Sequence, residues 1–190
     1  MRNLIIASAL LIGANGFAST AAFNTVSEIQ TQMTAAQITE GRALDWKVND
    51  TNNYKMNVGG FLSGTMVMKV TSKTEEGIWV NQDIDLSGNK QVADTLFDAN
   101  SGAVIKTIVN GKEQAPAEND QEIESVTQEK ITVAAGTFDC LHAVLVSKKD
   151  QSKTDAWVNP QIIPISGAIK LIAPSQFGKV TMELTSFKKN

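Results

Sequence analysis

Ile78-Trp79-Val80-Asn81-Gln82-Asp83-Ile84-Asp85-Leu86 is the stretch that decides the fold. Ile78, Val80, Gln82, Ile84 and Leu86 fall on one side of a two-residue repeat, and Trp79, Asn81, Asp83 and Asp85 on the other. Side chains of an extended chain alternate between faces, so the segment predicts a strand with one covered face and one wet face. That pattern belongs to an antiparallel sheet buried on one side. Just upstream, Thr65, Val67, Lys69 and Thr71 alternate with Met66, Met68 and Val70 in the same way. Further strand-like runs lie near 53–58, 90–97, 103–109, 122–133, 140–148, 154–158 and 178–187.

Short turn signals separate these runs: Gly59-Gly60, Glu76-Gly77, Ser87-Gly88-Asn89, Asn100-Ser101-Gly102 and Asn110-Gly111. Connections that short cannot carry a parallel crossover, and Asn-Gly suits the tight turn between antiparallel neighbours. The one polar break, 115–122, reads as a loop within a single domain. Pro160, Pro164 and Pro174 mark 160–176 as a constrained connection around the apolar piece Ala168 to Ala173, for which strand and helix both stay open. Before the strands, Val26, Ile29, Met33, Ala36 and Ile38 recur at helical spacing, and Thr25 with Glu28 forms a capping box, predicting a helix near 25–39. The expected class is mainly β (α+β). Either a curved antiparallel sheet or half-open barrel wraps the N-terminal helix, or a small barrel closes with the helix outside.

The start of the chain carries an address. Met1-Arg2-Asn3 is positive, Leu4 to Ala14 is apolar, and Ala18-Ser19-Thr20-Ala21 is small, which is the order of a secretory signal peptide over 1–21. The expected domain is therefore 22–190, exported to a bacterial periplasm or secreted. No cysteine near the cut offers an acceptor for a lipid anchor, and the apolar run is short for a membrane span. The net charge of −3 is spread without a basic run, which excludes a nucleic-acid footprint and a polybasic lipid patch. Aromatic residues make up only 6% of the chain, thin for the girdles of an outer-membrane barrel. The single cysteine, Cys140, cannot form an internal disulfide and is expected to be buried.

Three groups of motifs together resemble a known class. Phe97-Asp98-Ala99-Asn100-Ser101-Gly102-Ala103-Val104 followed by Asn110-Gly111 looks like a central hairpin. Ile131-Thr132-Val133-Ala134-Ala135-Gly136-Thr137-Phe138-Asp139-Cys140 looks like a strand, Gly-Thr-Phe, strand element. Trp157-Val158-Asn159-Pro160, Ile163-Pro164 and Met182-Glu183-Leu184-Thr185 follow in order. The set resembles the DUF3108 group of periplasmic proteins and, more distantly, the LolA/LolB-like lipoprotein carriers, across some three quarters of 22–190. The resemblance implies a half-open antiparallel barrel suited to an apolar molecule. It brings no catalytic motif, and the chain departs from the lipid-anchored carriers by lacking an anchor cysteine.

Cys140 and His142 sit two apart on one strand, the spacing of a thiolate nucleophile with a base, yet Val144 and Val146 continue their face and make it look like core. Asp83, Asp85, Ser87, Gly88 and Asp94 mimic a calcium loop, but Asp94 is short for bidentate binding, Lys90 stands where an apolar residue is usual, and strands flank the loop. The bland alternative is a hairpin with Ser87-Gly88-Asn89 at its tip. Glu118-Asn119-Asp120-Gln121-Glu122 with Glu124 reads as a solvated loop. Phe61, Met66, Met68, Trp79 and Trp157 are the candidates to line an apolar cavity, although core filling explains them as well. No cofactor, metal set or catalytic group is implied. The reading is a non-enzymatic binding or carrier-like module for a lipid, an acyl chain or an apolar segment of an envelope protein. The alternative is a structural interaction domain of the envelope using an exposed strand edge.

Overall fold

The computed structural model describes residues 44–114 and 121–190. Eleven strands follow in chain order: β1 (Thr51–Val58), β2 (Leu62–Lys73), β3 (Ile78–Leu86), β4 (Asn89–Phe97), β5 (Val104–Val109), β6 (Lys112–Gln114), β7 (Gln121–Val133), β8 (Gly136–Ser147), β9 (Lys153–Val158), β10 (Ala168–Ser175) and β11 (Gly178–Lys188). All join one antiparallel sheet in the order β6-β5-β4-β3-β2-β1-β11-β10-β9-β8-β7. The chain therefore builds one meander from the centre to an edge, then a second from the opposite edge back to the centre. The two meet where β1 pairs with β11, Val58 opposite Val180 and Met56 opposite Met182.

Covalent reach sets the shape of this sheet. Six residues, 115–120, join Gln114 of β6 to Gln121 of β7, the two edge strands. That link spans at most about 25 Å. Eleven strands laid flat would hold their edges about 48 Å apart. The sheet must therefore curl until its edges approach, yet β6 and β7 do not pair and the sheet stays open. The closed-barrel alternative is corrected by this topology. The helix expected over 25–39 and the signal peptide lie outside the described residues. Among the described residues there is no α-helix, only a short turn at Ile165–Gly167.

Alternation does what the sequence required. On β3 Ile78, Val80, Gln82, Ile84 and Leu86 are buried and the intervening residues are not. Met66, Met68 and Val70 of β2, Tyr54, Met56 and Val58 of β1, and Val180, Met182 and Leu184 of β11 complete the same covered face. Pairing registers these side chains into rows, such as Leu184, Tyr54, Met66 and Ile84. Ser87-Gly88 and Asn110-Gly111 turn their hairpins with positive φ at both residues, 52° and 85°, then 48° and 79°. That geometry twists with the strands it joins. The undecided piece 168–173 is strand β10.

The connection before β10 forms a buried strap. Ile163, Ile165 and Ser166 are inaccessible to solvent, although Ile165, Ser166 and Gly167 all have positive φ of 45°, 64° and 69°. A β-branched residue there is strained, so its surroundings must hold it. Asn52 does the holding: its Nδ2 lies 2.6 Å from the Pro164 carbonyl, 3.0 Å from that of Ile165 and 3.0 Å from the Tyr54 hydroxyl. Tyr54 in turn donates to the Ala168 carbonyl at 3.1 Å. Burial pushes the Tyr54 phenol far above its ordinary range, only partly offset by the hydrogen bond from Asn52. Asn52→Asp would keep the shape but aim a carboxylate at two carbonyl oxygens. We expect it to cost about 3 kcal/mol of unfolding free energy, clearly more than Asn52→Ala, by denaturant titration.

Candidate functional site

The outer face of the sheet carries one organised cluster, built by the register of β8 to β11 and β1. His142 stands opposite Trp157, Trp157 opposite Lys170, Lys170 opposite Glu183 and Glu183 opposite Lys55. The His142 and Trp157 rings stack at 4.3 Å and 6°. His142 Nε2 lies 2.8 Å from Asp155 Oδ1, and its Nδ1 lies 3.3 Å from Glu129 Oε2. Trp157 Nε1 donates to that same Glu129 oxygen at 2.6 Å. Lys170 Nζ sits 5.8 Å from the Trp157 ring and 2.8 Å from Glu183, which Lys55 also meets at 2.7 Å. The Lys170 hydrogen bond, then that of Lys55, holds the Glu183 carboxyl below its usual range.

A cleft of about 580 Å³ opens beside this cluster, where the β7–β8 hairpin runs past the end of β9. Gln128, Glu129 and Lys130 come from β7, Asp139, Cys140 and Leu141 from β8, and Val158 to Gln161 from the segment that leaves β9. Pro160 explains the fork, because it follows the last pair of β9 and cannot extend the ladder. The hairpin tip is tied down by Ala135, whose N–H donates to the Leu184 carbonyl at 3.3 Å, and by Phe138 packed on Phe187. Gly136 takes a φ of 139° at that turn, and Phe138 returns to the core.

Cys140 is buried, 7% exposed, and its Sγ donates to the Glu129 carbonyl at 3.4 Å. Burial first, then the charges of Glu129 and Asp139, push the thiol up, away from thiolate. Both His142 nitrogens face carboxylates, so neither serves as base to Cys140. The covered face of this part of β8 is Ala143, Leu145 and Ser147, a correction to the expectation that His142, Val144 and Val146 line the core.

The five candidates for an apolar cavity do not share a wall. Met66 and Met68 are fully buried on the covered face of β2, while Phe61 is 67% exposed in the β1–β2 turn. Trp79 lies on the other face of β3, and Trp157 belongs to the outer cluster. The calcium-loop residues run out along the β3–β4 hairpin instead of converging. Asp85 Oδ1 caps the turn by accepting from Gly88 N–H at 2.9 Å, and Ser87 donates to the Ser63 carbonyl at 3.2 Å. Asp94 accepts from Asn81 at 2.7 Å, and Asp83 stands opposite Val92. Among the described residues no three His, Cys, Asp or Glu side chains are grouped to hold a metal ion. Nor is any described helix long and apolar enough to cross a membrane.

Sequence reading missed Glu129 and Asp155, because both look like ordinary strand carboxylates until β7, β8 and β9 are laid side by side. Two measurements check the site. Thiol reagents should label Cys140 slowly in the native protein and fully after denaturation, and rapid native labelling would contradict its burial. Because the folded carboxyl of Glu183 is depressed, its contribution is present above the ordinary carboxylate range and lost as pH falls through the folded value. Glu183→Gln should therefore lower stability at neutral pH and converge with the parent protein in acid.

No protein-family model matches the chain, and no curated protein matches it. Among the similar solved structures are these two. One, from Bacteroides fragilis and described as an exported protein with a YmcC-like fold, shares 12% identity at a TM-score of 0.38, covering 77% of this chain and 99% of its own. The other, described as a lipoprotein from Parabacteroides distasonis, shares 15% identity at a TM-score of 0.40, covering 76% of this chain and 97% of its own.

Proposed function

We propose that the chain is an exported, non-enzymatic interaction module of the cell envelope, which receives an extended segment of a partner protein along the free edge of β7. The observation that carries this reading is the edge itself. β7 spans Gln121–Val133, pairs with β8 alone among the described residues, and is exposed from Glu122 through Lys130. An edge strand offers a row of open N–H and C=O groups to a further strand. Ile123 and Val126, 47% and 50% exposed, give that edge apolar contact.

Charges that would guard such an edge are turned back onto the sheet. Glu122 pairs with Lys148 at 2.9 Å, Glu124 with Lys153 at 2.7 Å, and Glu129 with Trp157. Met66 and Met68 are buried against protein neighbours, which favours the interaction reading over carriage of a lipid or acyl chain. Export is supported by the order of charge, apolar run and small residues at 1–21. The absence of chemistry is supported by the Cys140 and His142 geometry.

A photo-crosslinker at Val126 in the producing cell should give a discrete adduct, whereas one at Phe61, also exposed but far from the edge, should not. Ile123→Lys, an edge charge at an exposed position, should abolish the adduct without lowering the melting temperature. No adduct from Val126, or equal adducts from both positions, would refute the reading.

A further inference from the structure

We infer that His142 is a proton-operated latch on the β7 edge: with two ring protons it holds Glu129 back on the sheet, and with one it releases that carboxylate to guard the edge. This rests on the edge reading above and adds how that site is regulated. The ring nitrogens face carboxylates on both neighbouring strands, Nε2 at 2.8 Å from Asp155 Oδ1 of β9 and Nδ1 at 3.3 Å from Glu129 Oε2 of β7. Two carboxylates call for two N–H donors, and only the imidazolium has both. A neutral ring keeps one N–H and turns a lone pair to the other side. The shorter contact keeps the proton, so the lone pair faces Glu129.

The surroundings leave this work to His142, the only histidine of the chain. From β7 it faces Glu129 and the uncharged Thr127, and from β9 it faces Asp155 and the stacked ring of Trp157. Along its own strand the neighbour on the same side is the buried thiol of Cys140. The cations of this face are engaged elsewhere: Lys170 with Glu183 at 2.8 Å, Lys153 with Glu124 at 2.7 Å and Lys130 with Asp139 at 3.3 Å. Among the described residues no lysine pairs with Glu129 or Asp155. Loss of the ring proton therefore leaves two carboxylates with no cation between them. Glu129 is the one able to leave, because its side chain is 47% exposed and sits on the edge strand. Only the Trp157 indole at 2.6 Å then restrains it, and a charge turned outward there opposes the addition of a strand.

The test titrates the full chain between about pH 8 and about pH 5.5, the interval in which imidazole ordinarily changes charge. The indole N–H resonance of Trp157, identified by its loss in Trp157→Phe, should move in one step as its bond to Glu129 changes. Those of Trp46 and Trp79 should stay in place. A labelled, terminally blocked nine-residue peptide of alternating threonine and valine probes the edge by fluorescence anisotropy. It should bind about threefold more tightly at the acid end. Two variants should remove that dependence in opposite directions. His142→Gln should bind weakly at both ends and lose the indole step, whereas Glu129→Gln, with no charge to release, should bind tightly at both. Equal affinity of the parent chain at both ends, or a step that survives His142→Gln, would overturn the latch and leave the edge standing. No binding of the peptide at either end would overturn both.

Discussion

Six residues between two edge strands govern this molecule. A single open sheet has one apolar face and nothing of its own to cover it, because layered domains normally bury a sheet against a second element. Here the short tether forces the sheet to turn upon itself. Its covered face then meets its own far side, the buried strap at 163–167 and the Leu44–Trp46 segment, where Trp46 packs edge-on against Phe97. Val58, Met66, Val80 and Leu171 are completely buried on that face.

The outer face is organised by a different force. His142, Trp157, Lys170, Glu183 and Lys55 form one row, directly opposite one another across five strands. Stacking, a cation over an aromatic ring and two ion pairs alternate along it. Each cross-strand pair contributes about 0.2–1 kcal/mol, so the row acts mainly to fix register across the seam between the two meanders. Its end at Glu129 is where the rigid sheet gives way to the overhanging β7–β8 hairpin.

Much of the strand pattern was legible from residue alternation, and for identifiable reasons. Ile78 to Leu86 carries a period of two that no helix can use, and Asn110-Gly111 names its own turn. Cys140 was legible as buried because a thiol gains little from water. Sheet order was not legible, since hydrophobic alternation says which face is covered and nothing about which strand lies alongside. The apolar candidates failed to converge for that reason: Met66 and Trp79 look alike in composition but sit on opposite sides of the pleat. Glu129 and Asp155 gain meaning only from neighbours eleven residues or more away in the chain.

The pairing of β1 with β11 has a bearing on how the chain comes together. Every other ladder joins strands adjacent in sequence, so each hairpin can zip locally and at small entropic cost. The central ladder alone unites distant parts, Thr51 with Lys188, and Asp50 adds a buried clamp on the Asn190 N–H at 2.8 Å. The centre of the sheet therefore waits for its eleventh strand. A polypeptide built this way holds two half-sheets with raw inner borders until β11 has been delivered, so the last strand made completes the middle of the sheet.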